Sequence, residues 1–296
     1  MKYNRILAGV LSLALISGLW GCSPAADDFD ASQKGATEST RQKNEGVYRQ
    51  LDFNNKDEIN AAAKGLLDSP EALEIKDKDG NVVWSQKAYS FITEDTPSPD
   101  TVHPGLWSNA QMSRYYGLFQ VHDRIFQVRG YDVTNLTLIA GDTGWIVVDP
   151  MSNEEAMRAA LELIEKDIEH RPIVAVIYTA ASANHYGGAA PLLEDSEGAV
   201  PIIAPQGFLD AAGIENLFTQ NSTRRKSEYL YGSLLPAGAQ GNLFIGKDET
   251  TASGTVTYRA PTDFIQETGE TRVIDGVEIQ FQLGADSMGG ACMNLY

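Results

Sequence analysis

The sequence predicts an α/β fold with a mixed sheet, preceded by a small helix and hairpin segment. Three observations predict it. Short apolar runs separated by turn residues begin at Gly117, a helical stripe follows over 157–168, and strand-length runs at 173–178 and 201–204 flank a glycine-bearing loop. Strand, helix, strand in that order implies a crossover, so parallel pairing stands beside an antiparallel meander with helices packed on the sheet. Composition agrees, because 43% hydrophobic and 21% charged residues are ordinary for a globular chain.

In chain order the first element is a leader. Lys2 and Arg5 precede an apolar run from Ile6 to Leu19, the pattern of a signal peptide over 1–22. That run is shorter than the roughly 20 residues a spanning helix needs. Leu19-Trp20-Gly21-Cys22 resembles a bacterial lipobox, in which Cys22 is lipidated and opens the mature protein. The expected location is therefore exported, periplasmic and lipid-anchored to the cell envelope, with ordinary cleavage and release as the alternative. From 23 to 46 the chain is Ser, Thr, Ala, Asp, Gln and Lys with little apolar surface, which predicts a flexible tether.

The segment 47–116 reads as a helix and hairpin extension. Asn55 and Glu58 have capping-box spacing, and Ile59, Ala62, Ala63, Leu66 and Leu67 share one helical face. Asp79-Gly80 between Leu73-Glu74-Ile75 and Val82-Val83-Trp84 predicts a hairpin in which both turn residues take positive φ. Asp77, Asp79 and Asn81 do not make a calcium loop, since Val82 and Ala88 stand where glycine and glutamate are needed.

Four runs, 118–121, 125–128, 136–139 and 145–148, then predict the meander. Ser152 with Glu155 predicts the cap of a helix buried through Met157, Ala160, Leu161, Ile164 and Ile168. After the strand ending at Tyr178 comes Thr179-Ala180-Ala181-Ser182-Ala183-Asn184-His185-Tyr186-Gly187-Gly188. A loop at the carboxyl end of a buried strand is where α/β sheets place ligands.

Charge and cysteine count remove several partner and site classes. With 23 basic against 40 acidic residues and a net charge of −17, a nucleic acid bound through its phosphates meets repulsion. Cys22 and Cys292 are the two cysteines, so a cysteine-rich metal site is excluded, and an acylated Cys22 leaves no disulfide. Ser182 and His185 have no identifiable third group and no Gly-x-Ser-x-Gly elbow, which argues against a serine nucleophile.

The loop resembles the Thr-His-x-His-x-Asp-His-x-Gly-Gly motif of the metallo-β-lactamase superfamily. Thr179, His185, Gly187 and Gly188 match it, while Ala180, Ser182 and Asn184 stand at the other ligand positions. Further segments resemble the alkylsulfatases of that superfamily: Thr101 to Trp107, Gln127 to Asp132, Gly144 to Pro150, Ser222 to Arg225, Tyr229 to Gly232 and Thr268 to Glu278. This resemblance implies that 117–296 is an incomplete metallo-β-lactamase-like domain, the first half of an αββα sandwich, from a family that continues into further strands, more ligands, a dimerisation segment and a lipid-carrier-like domain. It implies a zinc-dependent hydrolase of alkyl sulfate esters, with a homodimer in the family. His185 is the one metal ligand carried over, against the alternative of a loop histidine bonded to backbone. Asn221, Arg225, Tyr229 and Tyr231 fall where the family lines its sulfate-ester pocket, and guanidinium with phenol donors suits a sulfate head group; a solvent-facing helix is the other reading.

One imidazole is too few for catalytic zinc, which generally takes three protein ligands and a water. The expectation is a chain inactive alone, with zinc binding doubtful. The alternatives are a membrane-anchored, non-catalytic binder of anionic amphiphiles, or a gene fragment.

Overall fold

The computed structural model describes residues 34–194, 196, 199–214, 218–243, 254–284 and 291–296. The signal peptide, Cys22 and the first part of the tether lie outside these residues.

The rest of the tether is not plain coil: Glu38–Tyr48 forms helix α1, capped by Thr37, with no buried residue. It is held by polar contacts, Arg41 Nε to Asp100 Oδ2 at 2.8 Å and Asn44 Nδ2 to the carbonyls of Asp100 and Val102. A helix fixed this way needs no apolar stripe, so periodicity does not reveal it. Helix α2, Asp57–Ala63, is shorter than predicted, and Lys56 stands at its cap while Asn55 Oδ1 accepts from the Asp57 amide. The chain then turns at Gly65, where φ is +81° and a Cβ would lie 2.3 Å from the Gln120 carbonyl oxygen. Leu66 and Leu67 consequently leave the helix for strand β1, Leu66–Asp68.

Strands β2, Glu74–Lys76, and β3, Val82–Ser85, form the predicted hairpin. Its turn differs in detail, because Gly80 has positive φ and Asp79 does not. Asp77 closes it, accepting from the Gly80 amide at its carbonyl and from the Asp79 and Asn81 amides at Oδ1. Hydrogen bonding within the turn accounts for that acidic cluster. Helix α3, Pro104–Met112, is capped by His103, whose Nδ1 accepts from the Gly105 amide, and Trp107 and Ala110 pack with Ile92 and Val102 in a small core.

The main sheet has the order β1-β4-β5-β6-β7-β8-β9-β10. Strands β4 (Gly117–His122), β5 (Ile125–Arg129), β6 (Leu136–Ala140) and β7 (Trp145–Val148) make the antiparallel meander. Helix α4, Glu154–Asp167, then crosses over, so β8 (Ile173–Ile177) runs parallel to β7, followed in parallel by β9 (Ile202–Pro205) and β10 (Asp263–Ile265). The cap of α4 is Asn153, whose side chain accepts from the Ala156 amide, and not Ser152. Ser152 gives its amide to Asp132, and Glu155 binds the amide and hydroxyl of Thr255.

Alternation through the central strands builds two cores. Trp145, Val147, Val176, Tyr178, Ile202 and Ala204 face the helical side, where Ala156, Met157, Ala160, Leu163 and Ile164 of α4 cover them. On that side too lie α5, Ala189–Leu193, and α6, Phe208–Ile214. Ile146, Val148, Ala175, Ile177, Ile203 and Ile265 face the other way, onto Ile279, Phe281 and Met293. Those three belong to a second sheet, β11 (Thr271–Ile274), β12 (Val277–Leu283) and β13 (Met293–Leu295). Both faces of β7 are buried, which is why its sequence is a continuous apolar run. Helix α7, Gln220–Tyr231, ends at Gly232 in the left-handed region.

Asp275, between β11 and β12, ties the second sheet to the turn ahead of β7. Its Oδ2 accepts from the Thr143 and Gly144 amides and its Oδ1 from the Thr143 hydroxyl, each at 2.8 Å. The Thr143 amide, then the Gly144 amide and the Thr143 hydroxyl, hold this carboxyl below its ordinary value despite partial desolvation. A carboxyl depressed in the folded state adds stability above its unfolded pKa of about 3.9, and that stability is lost as pH falls through the folded value. Asp275→Asn should thus lower the melting temperature at neutral pH, with the gap to the parent closing below about pH 4. A gap independent of pH in thermal melts from pH 2.5 to 7 would count against this bond.

Candidate functional site

The loop predicted to carry function follows β8 and is clamped from β7. Asp149, the residue after β7, continues the parallel ladder by donating its amide to the Ile177 carbonyl at 2.9 Å, then turns with φ of +55°. This places its carboxylate under the loop. Oδ1 accepts from the Thr179 amide at 2.8 Å, Oδ2 accepts the Thr179 hydroxyl at 2.6 Å, and Oδ2 lies 3.0 Å from His185 Nδ1. A carboxylate only accepts, so Nδ1 carries a proton and donates to Asp149. Asp149 is thus the orienting group that the loop's own sequence does not show.

A second carboxylate supports the loop from below. Asp132 is 3% exposed, and it accepts the amides of Ser152 and Val133. Burial pushes its carboxyl above the ordinary value, opposed by the two Ser152 hydrogen bonds, the Val133 amide and the nearby His185. Asp149 and Asp132 were both visible as aspartates at strand ends, yet nothing in the linear sequence joins them to His185.

The glycines hold the loop close to its neighbours. A Cβ on Gly187 would lie 1.9 Å from the Ser152 carbonyl oxygen, and one on Gly188 would lie 2.3 Å from that of Pro150. On the other flank the Ala181 amide donates to the Ala291 carbonyl, the Met293 amide donates to that of Thr179, and Ala180 bridges to Cys292. Asn184 Oδ1 is buried with no hydrogen-bond partner. An orphaned buried acceptor costs about 1–3 kcal/mol, so this atom is a local departure from good packing.

Among the described residues, the donors on this loop do not fit zinc. Around His185 stand Ala180 with no donor, Ser182 with a neutral hydroxyl and Asn184 with an uncharged amide, where catalytic zinc generally takes three nitrogen, sulfur or anionic oxygen ligands. Among the described residues there is no group of three or more His, Cys, Asp and Glu placed to hold a metal ion.

The other predicted residues sit elsewhere in the fold. Asn221, Arg225 and Tyr229 follow one another along the exposed side of α7, with Tyr229 89% exposed and Arg225 Nε donating to the Asn221 carbonyl at 3.4 Å. Tyr231 is half-buried and its carbonyl accepts from Asn242 Nδ2. These four are joined through their helix, whereas His185 is joined to Asp149 and Thr179. His122 and His170 are exposed. A groove of about 980 Å³ between α4 and the β2–β3 hairpin includes Asp68, Tyr131, Glu155, Arg158 and Lys166 in its lining, but none of Asp149, Thr179 and His185. Several of its charges pair with one another, as Lys166 does with Asp68.

Comparison with known proteins gives this geometry a lineage. Residues 129–265 match the family model described as the metallo-beta-lactamase superfamily. The chain is 41% identical to a linear primary-alkylsulfatase of Pseudomonas sp over 89% of its own length and 40% of that protein. It is 36% identical to an alkyl/aryl-sulfatase of Saccharomyces cerevisiae, over 87% of the chain and 40% of that protein. The solved structure of a stereoselective inverting sec-alkylsulfatase from Pseudomonas sp. superimposes with a TM-score of 0.82 at 37% identity, covering 90% of this chain and 42% of the other. The chain thus spans about 40% of the length of the curated relatives it matches. Residues 129–265 thus carry the match to the metallo-beta-lactamase superfamily, and the chain is similar to alkylsulfatases over about nine-tenths of its own length.

Proposed function

We propose that this chain carries the fold of a zinc-dependent hydrolase of alkyl sulfate esters and does not itself perform that hydrolysis. Similarity to alkylsulfatases over most of the chain supports the reaction class. The donor set at the loop supports the absence of turnover: one imidazole beside Ala180, Ser182 and Asn184. If a structural zinc site contributes roughly 10–16 kcal/mol over four ligands, one ligand supplies about 3–4 kcal/mol, a dissociation constant near ~1 mM. At cellular zinc levels such a site stays empty.

What the chain retains favours binding over cleavage. Arg225 and Tyr229 present a guanidinium and a phenol on the solvent side of α7, donors suited to the sulfate of an anionic amphiphile. The lipobox-like leader ending at Cys22 supports a position on the cell envelope, where such amphiphiles collect. A homodimer, as the alkylsulfatase resemblance implies, belongs to the same proposal.

One preparation tests the reading. Expressed with its leader, the chain should sediment with the envelope fraction; purified, it should carry substoichiometric zinc and release no sulfate from dodecyl sulfate, with or without added zinc. Chelator-sensitive sulfate release by this chain would overturn the proposal.

A further inference from the structure

We infer that the groove between α4 and the β2–β3 hairpin binds a primary alkylammonium, with its charged head against Tyr131, Asp68 and Glu162 and its chain along Leu73 and Leu163. The groove holds about 980 Å³, within the roughly 300–1,000 Å³ of small-molecule sites. None of Asp149, Thr179 and His185 lines it. A ligand there is a function separate from the anionic amphiphile proposed for α7, so either reading can fail without the other.

One phenol points to a ligand. Tyr131 is 3% exposed and lines the groove, and among the described residues no group hydrogen-bonds its hydroxyl. That hydroxyl is not sealed in apolar packing either: among the described residues, the fully enclosed side-chain atoms without a partner belong to Asn184, Ser227 and Ser233, so the small exposed part of Tyr131 includes its oxygen, facing the groove. A buried phenol usually finds a partner, and here the partner has to come from within the groove. The ring is fixed from both sides along the chain. The Gly130 carbonyl accepts from Trp84 Nε1 at 2.7 Å and Gln86 Nε2 at 2.9 Å, and Asp132 holds the amides of Val133 and Ser152. A side chain held in this way is in place before any ligand arrives.

The surroundings select an organic cation. Burial, and then the charges of Asp68, Asp167 and Glu162 together with the Tyr116 phenol, push the Tyr131 phenol above its ordinary value, which places three carboxylates around it. They meet one ammonium, Lys166, whose Nζ lies 2.6 Å from Asp68 and 3.9 Å from Asp167. The excess shows at Asp167, where burial and then contact with Asp68 raise the carboxyl. A ligand ammonium supplies the missing positive charge and three N–H donors, for the phenol oxygen and the carboxylates. A metal ion does not suit the cluster, because among the described residues no three His, Cys, Asp or Glu are placed to hold one. Leu73, Ile75, Ala159 and Leu163 give the groove an apolar wall for a chain of methylenes. Towards its other end the charges are paired, Arg158 with Glu154 and Lys76 with Glu74, so a second ammonium would find no free partner there.

The experiment is a calorimetric titration of the purified chain with n-hexylammonium chloride, beside 1-hexanol, which keeps only the chain, and methylammonium, which keeps only the head. n-Hexylammonium should bind one per chain and raise the melting temperature, and each of the other two should bind at least about tenfold more weakly. Tyr131→Phe removes only the unpartnered hydroxyl, so the free variant should melt no lower than the parent while its affinity for n-hexylammonium falls about tenfold. Glu162→Gln, an exposed change on α4, should lower that affinity about threefold, and it carries the test should Tyr131→Phe not fold. No binding of n-hexylammonium at ~10 mM would overturn the inference. So would equal affinity for 1-hexanol or for methylammonium, and so would undiminished affinity in a folded Tyr131→Phe or, failing that variant, in Glu162→Gln.

Discussion

Gly187→Ala should lower the unfolding free energy by about 3–5 kcal/mol, among the largest effects available to a single methyl group. Its Cβ would sit 1.9 Å from the carbonyl oxygen of Ser152, 2.5 Å from the carbonyl carbon and 2.9 Å from the Ala183 carbonyl oxygen. All three are backbone atoms, so no rotamer change relieves the clash. Nor are they free to move. Ser152 is pinned by its amide to buried Asp132, and the Gly187 carbonyl accepts both the amide and the hydroxyl of Thr257. Relief therefore requires breaking a bond on one side or the other. For a chain of this size the change corresponds to a fall in melting temperature on the order of 10 °C. Gly213→Ala is the matched control: it lies in α6 with nothing within 4 Å of the added carbon, and it should be neutral or stabilise by up to about 1 kcal/mol. Urea denaturation of both variants measures the difference. If Gly187→Ala loses less than about 1 kcal/mol, the close packing of the loop on Ser152, in the turn between β7 and α4, is wrong.

Much of this fold is legible in the sequence because the central strands obey simple periodicity. Alternation along Trp145-Ile146-Val147-Val148 sends side chains to two cores in turn, and the stripe of Met157, Ala160 and Ile164 covers one of them. The run Val277-Glu278-Ile279-Gln280-Phe281-Gln282-Leu283 alternates just as plainly, and the strand it forms was within reach of the same argument. Other elements leave no periodic trace. Helix α1 buries nothing and is held by polar contacts to Asp100 and Val102, while β1 is three residues that pair with a strand far along the chain. Leu66 and Leu67 fit the helical stripe, but the turn at Gly65 overrides them. The site divides in the same way. His185 and the two glycines are recognisable within one loop, whereas Asp149 meets His185 only once β7 and β8 lie side by side, and Asp132 meets Ser152 only across the sheet. Contacts made by topology are invisible to motif and spacing.

Asp149→Ala should cost about 3–5 kcal/mol, and more than Asp149→Asn, which should cost about 1–2 kcal/mol. The ordering follows from two separate roles of one residue. First, the carboxylate accepts the amide and hydroxyl of Thr179 and lies against His185 Nδ1, in a position only 8% exposed, so truncation strands donors where water cannot replace the acceptor. Second, its φ of +55° suits Asp or Asn and penalises Ala, adding about 1 kcal/mol. Asparagine keeps the shape and the backbone preference. Its carbonyl can still accept the Thr179 amide, the Thr179 hydroxyl can turn to accept from the new amide group, and the imidazole can shift its proton to Nε2 so that Nδ1 accepts too. That last adjustment gives the prediction its sharpest readout, because the nitrogen-15 shifts of His185 should exchange between the two ring positions in Asp149→Asn. Asp149→Gly separates the roles, since it removes the bonds without the backbone penalty and should fall between the other two variants. Equal stability of all three, or an unchanged imidazole spectrum in the asparagine variant, would mean that Asp149 does not set the orientation of His185. The loop would then be shaped by its glycines and flanking strands alone.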